Sequence, residues 1–224
     1  MRLRFRFAKA GKVRWTSHRD VARMWERALR RVRVPVAYSG GFSPRPKLSF
    51  GLALPTGAES VAEYLDVELD GAADPAELAP LLSAALPVGV DVLGGVGDEG
   101  GSSLQNDVTA CRWEIEIDGD LAPAVEAMLA ADSVVITRQR KGQDVTDDIR
   151  PAIIRLEFAD GVLAAELATQ PRGLRPSELL AGLGFEPENA RVRRTHQWIE
   201  RDGARWEPIP LDATDAPLAF GRAS

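Results

Sequence analysis

The sequence predicts an α+β protein built from antiparallel sheets backed by helices, and three observations carry that prediction. An order of strand, helix, two or three strands, helix and strand occurs twice along the 224 residues. A Gly-, Ser- and acid-rich segment, GGVGDEGGSSLQND from Gly94 to Asp107, separates the two passes. The composition, 45% apolar and 27% charged, is that of a chain that folds over most of its length.

In the first pass Arg2 to Phe7 alternates, with Leu3, Phe5 and Phe7 on one side and Arg2, Arg4 and Arg6 on the other, which predicts a half-buried strand with an arginine face. Thr16 or Ser17 can cap the helix that follows, with Asp20 in capping-box spacing from Ser17. Val21, Met24, Trp25, Ala28, Leu29 and Val32 recur at helical spacing and mark its buried stripe, and Arg19, Arg23, Arg27, Arg30 and Arg31 fall opposite. A short strand is expected over Val34 to Tyr38, then the loop Ser39 to Lys47, then strands over Leu48 to Leu54 and Glu63 to Leu69. Asp74-Pro75 opens a helix with Leu78, Leu81, Leu82 and Ala85 inward, and Val88 to Leu93 closes the pass.

The second pass expects strands at Arg112 to Ile117 and Val134 to Arg138 around a helix from Leu121 to Ala130. A hairpin turns on Asp160-Gly161, a helix runs from Pro176 to Leu183, and a strand covers Ala190 to Trp198. Each pass reads as a split β-α-β unit, so the expected architecture is two tandem ferredoxin-like domains. Their bounds are 1–94 and 108–205, with a linker at 95–107 and a tail at 206–224. The alternative is one larger α+β sheet.

Charge is distributed unevenly. Residues 1–50 hold 14 Lys and Arg against Asp20 and Glu26, whereas residues 51–224 hold 14 against 31 acids. This polarity predicts a polyanion-binding face on an acidic body. Only four of the 28 bases are lysines, a bias that genome composition explains, but it does not explain why acids avoid the first 50 positions. No apolar run is long enough to cross a bilayer and MRLRFRF is no signal-peptide core, so a cytoplasmic protein is expected. Cys111 is the lone cysteine and reads as a core thiol; with His18 and His196 alone beside it, no metal centre and no cofactor are expected.

His18 is the candidate catalytic group: an imidazole beside Lys12, Arg14 and Arg45 can serve as general base on a ribose 2′-hydroxyl, or it can simply pack and hydrogen-bond at a helix start. Gly40 and Gly41 permit close backbone approach and Phe42 is available to stack on a base, with Arg45 and Lys47 reaching phosphates; the alternative is a tight turn with Phe42 buried. Asp147, Asp148 and Arg150 either hold Mg²⁺ beside a phosphate or cap a turn, and Arg172 and Arg175 either hold a phosphate at a helix start or are solvated. Arg191, Arg193 and Arg194 continue the basic theme on a late strand.

Several segments taken together resemble a known family: Ser17-His18-Arg19-Asp20, Gly41-Phe42-Ser43-Pro44-Arg45-Pro46-Lys47 with Ser49-Phe50, Leu54-Pro55-Thr56-Gly57, Asp148-Ile149-Arg150-Pro151 and Leu174-Arg175-Pro176. They are similar to the uncharacterised radical-SAM-associated proteins, which occur free-standing or as the C-terminal portion of radical SAM polypeptides. The resemblance implies an accessory to a radical SAM enzyme, and through a frequently neighbouring RNase E/G-type enzyme it implies RNA. One cysteine cannot hold the cluster that cleaves S-adenosylmethionine, so any radical chemistry falls to a partner. A more distant, architectural resemblance to the CRISPR repeat-processing endoribonucleases implies a basic cleft between halves, although here the Gly-rich loop lies in the first half.

The expected function is therefore an RNA-binding accessory or substrate-recognition protein acting on tRNA, rRNA or another structured RNA. Its contacts are expected from Arg2, Arg4, Arg6, Lys12, Arg14, His18, Arg19, Arg23, Arg27, Gly40, Gly41, Phe42, Arg45, Lys47, Arg172 and Arg175. The alternatives are a metal-independent endoribonuclease using His18 and a protein-docking module with a basic face.

Overall fold

The alternation that opens the chain sets the layers. Leu3, Phe5 and Phe7 are buried beneath the first helix, where Phe5 and Phe7 meet Trp25 at ring centroid distances of 6.1 and 5.1 Å. The arginines between them therefore face the other side of the sheet. The computed structural model describes residues 1–98, 103–140, 142–186 and 190–210. In chain order the elements are β1 (Arg2–Lys9), α1 (His18–Val32), β2 (Leu48–Phe50), β3 (Glu59–Glu68), α2 (Pro75–Ala85), β4 (Val90–Asp98), α3 (Leu104–Asp107), β5 (Val108–Glu116), α4 (Ala122–Ala130), β6 (Val135–Arg140), β7 (Gln143–Asp148), β8 (Ile153–Ala159), β9 (Val162–Ala168), α5 (Pro176–Gly182), β10 (Arg191–Arg201) and β11 (Ala204–Trp206).

The protein is α+β with one large, mostly antiparallel sheet. Its strand order is β4-β1-β3-β10-β5-β9-β8, with β2 added to β3 and β11 to β10, and β6 and β7 form a separate hairpin. Each half was expected to form its own sheet. Instead β10 lies parallel to β3, pairing Arg193 with Glu59 and Arg194 with Ser60, and that short ladder joins the halves. Two apolar clusters lie on either side of this seam, one around Trp25 and one around Trp113.

Several elements depart from expectation for local reasons. Val34 to Tyr38 is not a strand; only isolated bridges form, Val36 to Leu69 and Tyr38 to Pro46. Gln143 to Asp148, where no strand was expected, is β7, paired from Asp148 opposite Val135 to Gln143 opposite Arg140. β4 extends to Asp98 and α3 occupies Leu104–Asp107, with Leu104 buried, while residues 99–102 of the expected linker lie outside the described residues. The expected tail likewise lies outside them from residue 211 onward; before that, residues 207–209 cross the arginine face of β1.

Buried charge holds the seam. Glu59, 0% exposed, accepts from the Gly11 amide (2.9 Å) and from Arg191 (3.2 Å), with Arg193 at 3.4 Å and Arg14 at 3.5 Å. Burial pushes its carboxyl up, but the Gly11 amide and Arg191 and Arg193 outweigh burial and hold it below the usual range. Glu63 accepts from Arg194, whose Nη2 also reaches the Leu52 carbonyl at 2.8 Å.

Removing one partner of a buried ion pair strands the others, so Glu59→Ala lowers the unfolding free energy by about 3–5 kcal/mol in urea titrations. Glu68→Ala, which breaks the solvent-exposed pair with Lys47, leaves the urea midpoint close to that of the unsubstituted protein. His196, stacked on Trp198 at 5.0 Å, is held at about 4 by burial and then by Arg6, Arg112 and Arg205, against an ordinary value of 6.5. The unfolded chain takes up a proton at this residue at higher pH than the folded chain, so its contribution to stability is complete above pH 6.5 and drains as pH falls toward 4. The thermal midpoint declines across that window, and His196→Gln reduces the slope.

Candidate functional site

The first helix is built as the sequence suggests. Ser17 accepts from the Asp20 amide at 3.2 Å and donates to its carboxylate at 2.7 Å; that hydroxyl, and then Arg23, hold the Asp20 carboxyl below its usual range. Val21, Trp25, Ala28 and Leu29 are buried. Arg19, Arg23, Arg27, Arg30 and Arg31 are exposed on the outer side. Among the described residues only Arg23 of these five has a carboxylate partner, Asp20 at 3.4 Å. Lys12 and Arg45 are also exposed without such a partner among the described residues.

The Gly40–Lys47 loop is pinned at its base. The Ser39 amide donates to the Arg45 carbonyl at 2.8 Å, and the Arg45 amide donates to the Ser39 hydroxyl at 3.0 Å. Gly41, at φ 105°, turns the tip in a conformation that side chains resist. Phe42 stands fully in solvent at 110% exposure, which decides against the buried alternative. Tyr38 and Trp15 are exposed as well, and Arg14 Cζ lies 5.3 Å from the Trp15 ring.

Other expected contacts are corrected by their acidic partners. Arg6 is 0% exposed, its guanidinium spent on Val61 O, Glu207 and Ile209 O at 2.9, 3.0 and 2.7 Å, so it cannot reach a phosphate. Arg4 is bidentate on Asp66 at 2.7 and 2.8 Å, and Arg2 pairs with Asp98, because the strand register sets Arg4 opposite Asp66 and Arg2 opposite Asp98. These three also lie on the sheet face away from α1, so the cations of residues 1–50 do not form one wall. Arg14 leans on Glu59 and Lys47 on Glu68 at 2.8 Å. Arg172 bridges Asp147 and Glu178 at 3.1 and 3.0 Å, whereas Arg175 is exposed. Arg193 and Arg194, read as surface bases on a late strand, are buried.

The acidic pair at 147–148 serves the backbone and nearby arginines. Asp148 accepts from the Val134 and Arg150 amides at 2.9 and 3.0 Å, and Asp147 from Arg138 at 2.7 Å; these donors hold both carboxyls below their usual range. Arg150 itself donates to the carbonyls of Leu129 and Ala131 at the end of α4. This supplies partners that a helix terminus otherwise lacks.

His18, Phe50, the turn at 54–57, the segment at 148–151 and residues 174–176 line a chain of adjoining hollows. His18, exposed and edge-on to Phe50 at 5.1 Å, lines a small one with Lys9, Leu52 and Glu63. Leu52 also lines a cavity of about 300 Å³ with Pro55, Arg175 and Pro176. Pro55 and Pro176 are shared with a third hollow, of about 320 Å³, that reaches Trp15 and Gly57, and Leu174 with a fourth beside Asp147 and Arg172. Gly57 is at φ 89°, and a Cβ there would stand 2.8 Å from the Trp15 ring.

Glu63, Arg194 and Trp113 were not among the expected site residues, yet they line these hollows. The available signal was the placing of three acids, Glu59, Glu63 and Asp66, in the mostly apolar run ESVAEYLDV, where a strand buried on both faces has no room for unpaired acid.

No curated protein matches the chain. A family described as "uncharacterized protein conserved in bacteria (DUF2344)" matches residues 2–176, and that span includes α1, the Phe42 loop, Gly57 and the first residue of α5. With more than half of its length covered, the chain belongs to this bacterial DUF2344 family.

Proposed function

We propose that this protein is a cytoplasmic RNA-binding accessory that recognises substrate for a radical SAM enzyme or another enzyme that modifies or processes RNA. The observation that carries the reading is the outward face of α1, where Arg19, Arg27, Arg30 and Arg31 lack carboxylate partners among the described residues. Like charges at this spacing repel one another on an isolated helix, and a polyanion relieves that repulsion. Exposed Phe42, Tyr38 and Trp15 add aromatic surface on which unpaired bases stack. The strand orders β4-β1-β3-β2 and β10-β5-β9-β8 support a finer reading of the two halves as tandem ferredoxin-like units, at 1–94 and 108–205, that share one sheet.

Counterion release supplies the test. A single-stranded RNA held by about five phosphate contacts loses about a hundredfold in affinity between 50 and 200 mM salt, measured by fluorescence anisotropy. The Arg19→Glu/Arg27→Glu variant weakens binding further and lowers the salt slope, while Arg6→Lys leaves the slope unchanged. A flat salt response sinks the reading.

A second reading, metal-independent endoribonuclease, draws on the exposed His18 ring at the head of the same helix. It requires RNA cleavage in EDTA that disappears in His18→Ala, and identical products from the two proteins exclude it.

A further inference from the structure

The cavity of about 300 Å³ beside β10 is the size of a small-ligand pocket, and its walls are mainly apolar, with Leu52, Leu167 and Leu174 among them. Two buried polar side chains interrupt those walls. Arg194, 1% exposed, lies with its Cζ 5.3 Å from the Trp113 ring and is oriented by Glu63 and the Leu52 carbonyl. Trp113 is 4% exposed, and its Nε1–H is buried with no acceptor among the described residues. Such a donor carries the desolvation penalty of an unmade hydrogen bond, which an acceptor on a bound molecule removes. Thr169 donates to the Val108 carbonyl, which leaves its hydroxyl oxygen able to accept. At the opening stands Arg175, exposed and cationic.

The occupant this arrangement suits is flat and largely apolar, has a carbonyl acceptor on one edge, and carries an anionic group that stays near solvent. We infer that the cavity takes the base of a ribonucleotide, with its ring among the apolar walls, a base carbonyl on the Trp113 N–H and its phosphate at Arg175. The inference rests on the RNA reading, and it names what one nucleotide of the bound strand does. A free nucleotide and a nucleotide swung out of a strand offer the same chemistry at this depth. The adjoining hollow, which runs past Pro55 to the exposed Trp15, leaves a path for the neighbouring residues of a strand. Burial raises the Cys111 thiol on the same wall to about 11, so it stays protonated and serves as wall, not nucleophile.

Calorimetric titration of the full chain with the four ribonucleoside 5′-monophosphates, and with a short single-stranded oligoribonucleotide, tests the inference. At least one monophosphate binds. Trp113→Phe, which keeps the ring and removes the donor, weakens it about three- to tenfold, and Ala53→Trp at the rim abolishes it. Arg19→Glu/Arg27→Glu leaves monophosphate binding unchanged and weakens the oligomer. No binding of any monophosphate at millimolar concentration overturns the inference, as does equal affinity in wild type, Trp113→Phe and Ala53→Trp. An oligomer that binds with a salt-dependent affinity while the monophosphates do not ends the cavity assignment and spares the RNA reading. Monophosphate binding that responds to both cavity variants, without oligomer binding, does the reverse.

Discussion

Two glutamates on one strand decide how this chain is assembled. Glu59 and Glu63 are withdrawn from water, and a buried carboxylate is tolerable only when cations and amides surround it. The cations come from far away in sequence: Arg14 from the segment before α1, and Arg191, Arg193 and Arg194 from β10. Meeting that requirement sets β10 against β3 and joins the strands of the two halves in one sheet. It also fixes what surrounds the seam, because Arg194, which answers Glu63, lines the cavity of about 300 Å³, and Arg14, one of the arginines paired with Glu59, lies against Trp15.

The same constraint sorts the arginines. Those on β1 face acids on the neighbouring strands or on the crossing segment at 207–209, and become structural cross-links. Those on α1 face solvent, and the local sequence provides them with Asp20 and little else. One residue type thus fills two roles, and the register of the strands separates them. The basic surface that remains is smaller than the composition of residues 1–50 suggests, but it is concentrated on one helix and one loop.

Much of the secondary structure could be read in advance because it rests on local signals. The period of two in RLRFRF, the helical spacing from Val21 to Val32, and the caps at Ser17 and Asp74 each act within a few residues. β7 escaped notice because QDVTDD is polar on both sides and its hairpin depends on pairing with β6. The burial of Arg6, Arg193 and Arg194 was not legible either, since each is answered by a carboxylate more than 130 positions away. For the candidate site, the exposed stripe of α1 followed from periodicity, whereas the cavity is made by side chains that only the joined sheet brings together.

Central placement of β10 bears on how the polypeptide reaches this state. During synthesis β3 leaves the ribosome well over a hundred residues before the strand that completes its edge, so its two acids spend that interval hydrated and without their arginines. Closing so long a loop late favours slow assembly, with an unfinished sheet margin open to wrong partners meanwhile. The hydration of those acids resists premature collapse of that margin, so the groups that lock the finished sheet also keep the nascent chain from sealing too early.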